Sequence, residues 1–304
     1  MYEKVTAVIP TRDREPSLTK LVDELVSMGI KTAVVNNGDC DVLSLRTDVE
    51  VTRVPPSNLS DIFNICLGTV STEYVLFWAD DIFDIRNVDI AVRFLEANAG
   101  AAVVTGPIIS EDQEASEIKR FFEGVRSLNN YLFKVLENLF FDGDMYRTGF
   151  YCSSGFYTVG AGLSSVNEQI PDCQEIDLAT SSWALLRTRD AVKIGGFSKV
   201  FKFNHVDGDF FLRLREKGRK IIYLKQFSCV HSVLRSESRN PYFIGLDTAK
   251  FLRTEYKIDG FKHNRVRRFT FKVCFPLFFV VQSFRNPKML EGLRGYLKGL
   301  FGKI

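Results

Sequence analysis

The sequence predicts an α/β fold with a mostly parallel central sheet that helices cover on both faces. Short β-branched runs alternate with segments of helical spacing between residues 5 and 106. The apolar run that begins at Tyr74 and ends at Asp80 and Asp81 is typical of a strand buried on both faces of such a sheet. Of the 304 residues, 45% are hydrophobic and 25% are charged, so the chain has ample material for a core.

Each strand is predicted from a short apolar run that ends at residues which favour turns. Val5–Ile9 stops at Pro10, which lacks the backbone N–H that a strand interior needs. Lys31–Val35 is followed by the turn-forming segment Asn36–Asp39. Further strands are predicted at Val49–Val54, Tyr74–Phe77 and Gly100–Gly106, and another apolar stretch covers Ile221–Val230.

Helices are predicted where apolar residues recur every three or four positions. In Ser17–Ser27 the recurring residues are Leu18, Leu21, Val22, Leu25 and Val26. Similar spacing predicts helices at Asp61–Val70, Val88–Ala97, Phe121–Leu139 and Asp209–Lys217. The alternation of strands and helices implies right-handed crossovers and therefore a mostly parallel sheet.

Two adjacent carboxylates, Asp80 and Asp81, follow the strand Tyr74–Phe77. Open α/β sheets bind their ligands in the crevice beyond the carboxyl ends of the strands. Carboxylates there suit Mg²⁺ or Mn²⁺, which usually share their coordination with substrate phosphates. The pair therefore indicates chemistry on a nucleotide diphosphate. The alternative is that these residues cap the following helix.

Composition and local motifs argue against several other classes of function. The net charge of +3 is too small to indicate a nucleic-acid partner. The six cysteines include no CxxC pair, so neither a zinc site nor a disulfide framework is predicted, and a reducing cytoplasmic compartment is expected. The first residues lack the apolar core of a signal peptide. Gly160-Ala161-Gly162 lacks the third glycine of a dinucleotide-binding loop, so a dehydrogenase is not expected.

Four motifs in consistent order resemble those of the family 2 glycosyltransferases, which have the GT-A fold. The first is Val8–Arg14 (VIPTRDR), and the second is Val34–Asp39 (VVNNGD). The third is Glu73–Asp81, which stands where the family has its Asp-x-Asp motif. The fourth lies within Lys193–Ser232 and includes the sequences GGF, DGD and VH. The similarity spans about residues 4–235.

The resemblance implies a sugar-nucleotide donor, with a UDP-sugar favoured, and a divalent cation, Mn²⁺ or Mg²⁺. Asp81 corresponds to the metal ligand of the motif, and Asp80 to a ribose-binding or supporting residue. His231 is implied as a further metal ligand, although a histidine at a strand end is also often solvent-facing or simply hydrogen-bonded. The donor-binding residues implied by the resemblance are Pro10, Thr11, Arg12, Asp13, Asn36, Asn37, Asn64 and Asp80.

The resemblance also implies transfer to a hydroxyl of a glycan or lipid-linked acceptor, with inversion at the anomeric carbon. The hydroxyl must lose a proton as it attacks, and Asp207 is the candidate general base. The alternative is that Asp207 caps the helix Asp209–Lys217, a role for which Asp209 is better placed. Trp183 is expected on the acceptor side as a stacking surface for sugar, together with Asp209 and Arg213.

Three departures from the family pattern leave alternatives open. Asn36 stands where the family usually has Asp, Ala79 occupies the first position of the metal motif, and Val206 replaces a Glu. These changes are compatible with a catalytically impaired homologue that binds glycan or lipid. A sugar nucleotidyltransferase is a further alternative, but Pro10–Asp13 is not the Gly-rich phosphate loop that such an enzyme would have after its first strand.

The C-terminal part of the chain differs in character from the rest. The sequence predicts a catalytic domain over residues 1–235, divided into a nucleotide-sugar half (1–105) and an acceptor half (106–235), and a basic amphipathic extension over 236–304. From Phe261 onward there are ten basic residues and one acidic residue, Glu291, and leucines recur at helical spacing. This pattern is typical of helices that lie in a membrane interface, so we expect a cytoplasmic protein peripheral to the inner face of the membrane. The alternative is a helix pair packed on the catalytic domain.

Overall fold

The computed structural model of the chain describes residues 2–13, 15–39, 41–42, 48–110, 130–145, 147–158, 171–231, 240–284 and 286–302. Gly160-Ala161-Gly162 and the first part of the predicted helix Phe121–Leu139 lie outside these residues. The predicted domain boundary at residue 235 also lies outside them and stays a prediction.

Strands and helices alternate through the first part of the chain, and helices dominate its end. The strands are β1 Val5–Thr11, β2 Lys31–Asn36, β3 Glu50–Arg53, β4 Tyr74–Trp78, β5 Ile82–Arg86, β6 Ala101–Thr105, β7 Ile108–Ser110, β8 Phe150–Tyr151, β9 Tyr157–Thr158, β10 Cys173–Ile176, β11 Trp183–Arg187, β12 Lys220–Leu224 and β13 Ser228–His231. The helices are α1 Glu15–Ser27, α2 Leu59–Gly68, α3 Val88–Ala97, α4 Asn130–Phe141, α5 Thr188–Lys193, α6 Val206–Glu216, α7 Pro241–Arg253, α8 Arg265–Ser283 and α9 Met289–Phe301.

The central sheet has eight strands in the order β10-β12-β6-β11-β4-β1-β2-β3. Pairing is parallel within β4-β1-β2-β3 and between β6 and β12, whereas β11 is antiparallel to both of its neighbours and β10 is antiparallel to β12. Six of the eight strands therefore run in one direction. The architecture confirms the predicted α/β class with a mostly parallel sheet and a helical C-terminal region.

The predicted elements between residues 5 and 106 are all present, with ends displaced by no more than two residues. The prediction that β1 stops before Pro10 was wrong, because the strand continues to Thr11. The pairing of β1 with β4 ends at Val8. At Pro10, β1 is therefore paired on one side only, with β2. A proline is tolerated where one side of a strand carries no ladder.

Two further elements differ from the predictions. The apolar stretch Ile221–Val230 is not one strand, since a turn at 225–227 separates β12 from β13. The helix predicted to begin at Asp209 begins at Val206, so both Asp207 and Asp209 lie in its first turn. His205 stands at the N-cap position with a positive φ of 59° and makes no side-chain capping bond.

A small second sheet has the order β5-β13-β7. Its central strand β13 is antiparallel to β5, and His231 at the end of β13 lies opposite Ile82. Because Ile82 directly follows Asp81 in the chain, this register brings the imidazole to the carboxylate pair after β4.

The core forms on both faces of the central sheet. One cluster packs α2 and α6 against one face, and the other packs α1 and α3 against the opposite face. Along β4 the side chains alternate, so Val75 and Phe77 belong to the first cluster and Tyr74, Leu76 and Trp78 to the second. This double coverage explains why β4 is apolar without interruption.

The C-terminal helices pack on one another and on the sheet layer. Phe251 of α7 is fully buried in the same core cluster as β4. A Cβ added at Gly245 of α7 would lie 1.9 Å from the carbonyl oxygen of Gly292, so the backbones of α7 and α9 touch where no side chain would fit. Within the described ranges, no helix is long and apolar enough to cross a membrane.

Candidate active site

The candidate active site lies at the edge of the large sheet where the parallel strands end. β1 ends at Thr11, and β4 ends at Trp78, shortly before Asp80 and Asp81. Because β11 runs in the opposite direction to β4, the residues that precede it, Thr180–Ser182, reach the same edge. This is where α/β sheets of this kind bind ligands, and it joins segments that are far apart in the sequence.

A cavity of about 800 Å³ opens at this edge. Five of the eight predicted donor-binding residues line it, namely Pro10, Thr11, Arg12, Asn37 and Asp80. Sequence reasoning missed six residues of the segment 56–62, together with Lys202, Phe203 and Phe243. The turn-forming sequence PPSN that follows β3 was the available signal for the first group, since it marks another loop at the carboxyl edge.

The other three predicted donor-binding residues shape loops and do not line the cavity. The buried Asn36 side chain accepts a hydrogen bond from the N–H of Gly38 at 3.0 Å. Asp13 accepts one from the N–H of Asp39 at 2.9 Å, which ties the loop after β1 to the loop after β2. Asn64 is bonded to both backbone groups of Phe197 at 2.8 Å, and it therefore clamps the GGF turn onto α2.

Asp80 is buried against the end of β1. The Thr11 hydroxyl donates a hydrogen bond to Oδ2 of Asp80 at 2.7 Å, and the carboxylate is only 7% exposed. Ala79, the residue before Asp80, donates a hydrogen bond from its N–H to the carbonyl of Ser182 at 3.1 Å. The carboxylate pair is thus fixed both to β1 and to the loop before β11.

Asp81 and His231, the two predicted metal ligands, lie close together. The Nε2 atom of His231 lies 3.4 Å from Oδ1 of Asp81, with the imidazole about one-third exposed. A carboxylate oxygen and an imidazole nitrogen suit Mn²⁺ better than Mg²⁺, which prefers oxygen ligands. In the part of the chain that the structure describes, no third His, Cys, Asp or Glu joins them. The pair therefore fits a cation whose remaining ligands come from substrate and water.

Asp207 faces the loop before β11 from the first turn of α6. The hydroxyl of Ser181 donates to Oδ1 of Asp207 at 2.5 Å, and the N–H of Ser181 donates to Oδ2 at 3.2 Å. The hydroxyl of Thr180 lies 3.4 Å from Oδ2. Asp207 is half-buried, so its carboxylate is oriented and still accessible. The sequence predicts that the segment Asp177–Leu186 lies on the acceptor side, but it does not distinguish Thr180 and Ser181, for which the polar run TSS before an apolar strand was the signal.

Asp209 and Arg213, which are predicted on the acceptor side, make their contacts within α6 and with neighbouring elements of the fold. They are one helical turn apart on α6 and form an ion pair of 2.7 Å. Asp209 also accepts a hydrogen bond from the Tyr256 hydroxyl at 2.9 Å, and Arg213 donates to the carbonyl groups of Ile194 and Gly196. Burial, followed by the nearby carboxylate, raises the pKa of the Tyr256 hydroxyl well above its ordinary value. These residues hold α6 to its neighbours.

Trp183 is not an acceptor-stacking residue. It has no exposed surface, and its ring stacks on Phe227 at a centroid distance of 4.0 Å. Its other ring contact is edge-to-face with Trp78 at 4.9 Å. In β11 this side chain points into the core face of the sheet, whereas the polar residues just before the strand reach the site.

Comparison with known proteins identifies the fold. No protein-family model matches the sequence, and no curated protein matches it significantly. The mannosyltransferase PcManGT from Pyrobaculum calidifontis, solved with GDP-Man and Mn²⁺, matches with a TM-score of 0.55 and 12% identity, over 99% of this chain and 88% of that chain. TarS from S. aureus, solved as residues 1–349, matches with a TM-score of 0.56 and 13% identity over 98% and 81%. GalNAc-T7, solved with UDP, GalNAc and Mn²⁺, matches with a TM-score of 0.55 and 8% identity over 93% and 57%.

Identities this low carry information on the fold and not on the substrate. The matches extend over nearly all of this chain and include its C-terminal helices. The chain therefore has the mixed α/β fold of the GT-A glycosyltransferases.

Proposed function

We propose that this protein is a glycosyltransferase of the inverting, family 2 type. It would transfer a sugar from a nucleotide-diphosphate donor, with a UDP-sugar favoured, to a hydroxyl of a glycan or lipid-linked acceptor. The observation that carries the proposal is a series of hydrogen bonds that links the carboxylate pair after β4 to the candidate base Asp207. Asp80 and Asp81 are joined through Ala79 to Ser182, and the adjacent Ser181 is bonded to Asp207.

The donor would occupy the cavity beyond the ends of β1 and β2. Pro10, Thr11 and Arg12 form one wall, and Asn37 lies beside them. Asp80 is oriented by Thr11 so that its second carboxylate oxygen can accept a hydrogen bond from a ribose hydroxyl. Asp13, Asn36 and Asn64 would contribute indirectly, because they fix the loops that carry the lining residues.

Asp81 and His231 would hold a divalent cation at the diphosphate, with Mn²⁺ favoured by the imidazole ligand. Such a cation supplies charge stabilisation to the leaving diphosphate as its negative charge grows. The chain contributes by holding the Asp81 carboxylate, just before β5, close to the His231 imidazole at the end of β13. The pairing register of β5 and β13 sets this position.

Asp207 would act as the general base. In the transfer step the acceptor oxygen forms a bond to the anomeric carbon while the bond from that carbon to the diphosphate oxygen breaks, and the hydroxyl proton passes to the Asp207 carboxylate. Attack from the face opposite the leaving group inverts the anomeric centre. The two hydrogen bonds from Ser181 orient the carboxylate before the acceptor binds.

A catalytically impaired glycan- or lipid-binding protein is the second candidate, because Ala79 and Val206 replace acidic residues of the family pattern. A sugar nucleotidyltransferase is less well supported, since Pro10–Asp13, at the end of β1 and in the loop after it, contains no glycine. Thermal shift against UDP-, GDP- and dTDP-sugars with and without Mn²⁺ tests the proposal, because a bound donor stabilises the fold by mass action. Donor hydrolysis that depends on Mn²⁺ supports an enzyme. Binding without any turnover over a panel of acceptors favours the catalytically impaired homologue. If no sugar nucleotide binds in a Mn²⁺-dependent way, the glycosyltransferase proposal is contradicted.

We also propose that the protein lies on the cytoplasmic face of a membrane. Six apolar side chains of α8 and its C-cap are more than half exposed: Val266, Phe269, Val273, Leu277, Val281 and Phe284. Their spacing of three or four residues places them on one face of the helix. Leu290, Leu297 and Phe301 form a second exposed stripe on α9, where Arg294 and Lys298 are also exposed. Apolar stripes beside basic residues favour an anionic lipid surface.

A further inference from the structure

Lys202 lines the same cavity as Pro10, Thr11, Arg12 and Asp80. It precedes α6 by four residues, and Phe203 and Phe243 line the cavity as well. Its side chain is half-buried. Over the described ranges, the structure gives the Lys202 ammonium no hydrogen bond and no ion pair. An ammonium that lines a cavity and has no protein partner can pair with an anion that enters the cavity.

The carboxylates of the cavity are engaged elsewhere and leave Lys202 available. Asp61 accepts a hydrogen bond from the Asn58 amide at 2.6 Å, and Asp80 accepts one from Thr11 at 2.7 Å. Among the described residues that line the cavity, Arg12 is the other cation. A diphosphate in the cavity would therefore have two protein cations in its surroundings, with the lysine acting as a point charge on phosphate oxygens.

The backbone around Lys202 is held by one buried carboxylate. Oδ2 of Asp247 accepts hydrogen bonds from the N–H groups of Lys202, Phe203 and Asn204 at 2.9, 2.9 and 3.0 Å. Asp247 lies on α7 and has no exposed surface. Burial raises the pKa of its carboxyl, and the three N–H groups oppose that shift. The carbonyl of Lys202 in turn accepts from the N–H of Leu59, which anchors the loop to the start of α2.

The same helix also fixes the residue that leads into α6. Thr248 lies 2.8 Å from Nε2 of His205, and the ring of Phe251 stacks on the imidazole at 4.6 Å. His205 has a positive φ of 59°, a conformation that its surroundings must stabilise. α7 therefore determines the course of the chain from Lys202 to His205.

Resting on the function proposed above, we propose that Lys202 binds the diphosphate of the donor and that Asp247 is the positioning residue that holds it in the cavity. Lys202 would add a second protein cation to the leaving group, in addition to Arg12 of the same cavity lining. Lys202 would contact the diphosphate of the nucleotide and neither its base nor its ribose. Substitution of Lys202 should therefore weaken the binding of ligands that carry the diphosphate and spare the nucleoside.

The test compares the binding of UDP and of uridine, with Mn²⁺ present, to the full chain and to Lys202→Met. We expect UDP affinity to fall at least about tenfold, as for loss of a charged hydrogen bond, while uridine affinity changes less than twofold. Lys217→Met, at an exposed position past the end of α6, is the matched control and should leave both unchanged. An unchanged UDP affinity in Lys202→Met, or an equal loss for UDP and uridine, overturns the assignment. GDP and guanosine form a parallel pair if the panel of donors favours that base.

The role of Asp247 is tested by a double-mutant cycle. Asp247→Asn should weaken UDP binding in the wild-type background and cause no further loss in the Lys202→Met background, because both changes then remove one interaction. Additive losses, or a lower thermal stability with unchanged UDP affinity, would make Asp247 a purely structural residue and overturn the positioning role.

The two proposals fail in different ways. If the wild-type chain shows no Mn²⁺-dependent binding of UDP or GDP, the glycosyltransferase proposal fails and this one with it. If the wild type binds and Asp81→Asn does not, but Lys202→Met binds like the wild type, only the Lys202 assignment is wrong.

Discussion

The hydroxyl of Ser181 donates a hydrogen bond of 2.5 Å to Oδ1 of Asp207. Ser181 stands just before β11, the strand that runs antiparallel between β4 and β6, and Asp207 stands in the first turn of α6. The bond joins the loop that contacts the metal-motif segment to the candidate general base. The proposed metal ligand and the proposed base are therefore connected through backbone and side-chain hydrogen bonds within a few residues.

Asp207→Asn tests the base directly. The amide keeps the shape of the side chain but does not accept the acceptor proton, so turnover should fall by about two to four decades. Donor affinity should stay within about twofold, because the residue acts on the acceptor. Steady-state transfer and UDP binding are the measurements, and Asp259→Asn at an exposed position is the control. A variant that keeps most of its turnover would assign Asp207 to helix stability alone.

Ser181→Ala removes the orienting bond and leaves the base in place. We expect turnover to fall by about tenfold, less than for Asp207→Asn, with donor affinity unchanged. In the Asp207→Asn background the same substitution should have little effect, since an orienting bond matters only to a functional base. Equal losses in both backgrounds would show that Ser181 acts independently of Asp207.

Asp81→Asn and His231→Gln test the metal pair. Each should abolish the Mn²⁺-dependent part of UDP binding while the thermal midpoint without ligand stays close to that of the wild type. Asp80→Asn should weaken UDP binding less, because Asp80 is bonded to Thr11 and is expected to contact ribose. Calorimetric titration with UDP, with and without Mn²⁺, separates these results. The same Mn²⁺-dependent affinity in wild type and Asp81→Asn would remove the metal assignment.

Phe269→Glu combined with Leu277→Glu tests the membrane face of α8. Both side chains are well exposed, at 69% and 59%, so the fold should tolerate the change. Sedimentation with anionic liposomes should be largely lost while UDP binding is retained. Added salt should weaken liposome binding of the wild type. Interactions between exposed charges are largely screened beyond about 8–10 Å at physiological ionic strength, and more salt shortens this distance. Val192→Glu, an exposed apolar position on α5, is the control; an equal loss there, or no loss in the double variant, contradicts the assignment.

His263 gives the protein an acid-sensitive component of stability. Burial, followed by repulsion from Arg268, lowers its pKa from 6.5 to about 4. Below pH 6.5 the unfolded chain takes up a proton that the folded chain does not accept until about pH 4, so stability is lost as the pH falls through this window.

His263→Phe should remove this component, because phenylalanine keeps an aromatic ring against Tyr151 and Phe261 and does not titrate. The free energy of unfolding in urea, measured at pH 7 and at pH 4.5, should then decrease less in the variant than in the wild type. Parallel decreases in the two proteins would show that His263 does not contribute.

The sequence by itself determined the local elements and the chemistry at the ends of two strands. Apolar runs and helical spacing predicted β1, β2, β4, α1 and α3 to within two residues, because side-chain periodicity reports directly which faces are buried. Asp80 and Asp81 could be placed at the carboxyl edge for the same reason, since a buried strand directly precedes them.

Only the tertiary structure decided which side chains meet at that edge. His231 reaches Asp81 through the register of β13 with β5, and Ser181 reaches Asp207 because β11 is inserted antiparallel into the sheet. Asp209 and Trp183 carry suitable chemistry but point into the core. Strand order, register and the packing of α7 on the 202–205 segment depend on contacts between residues far apart in the chain. Local patterns do not encode such contacts, so the sequence named candidates and the fold selected among them.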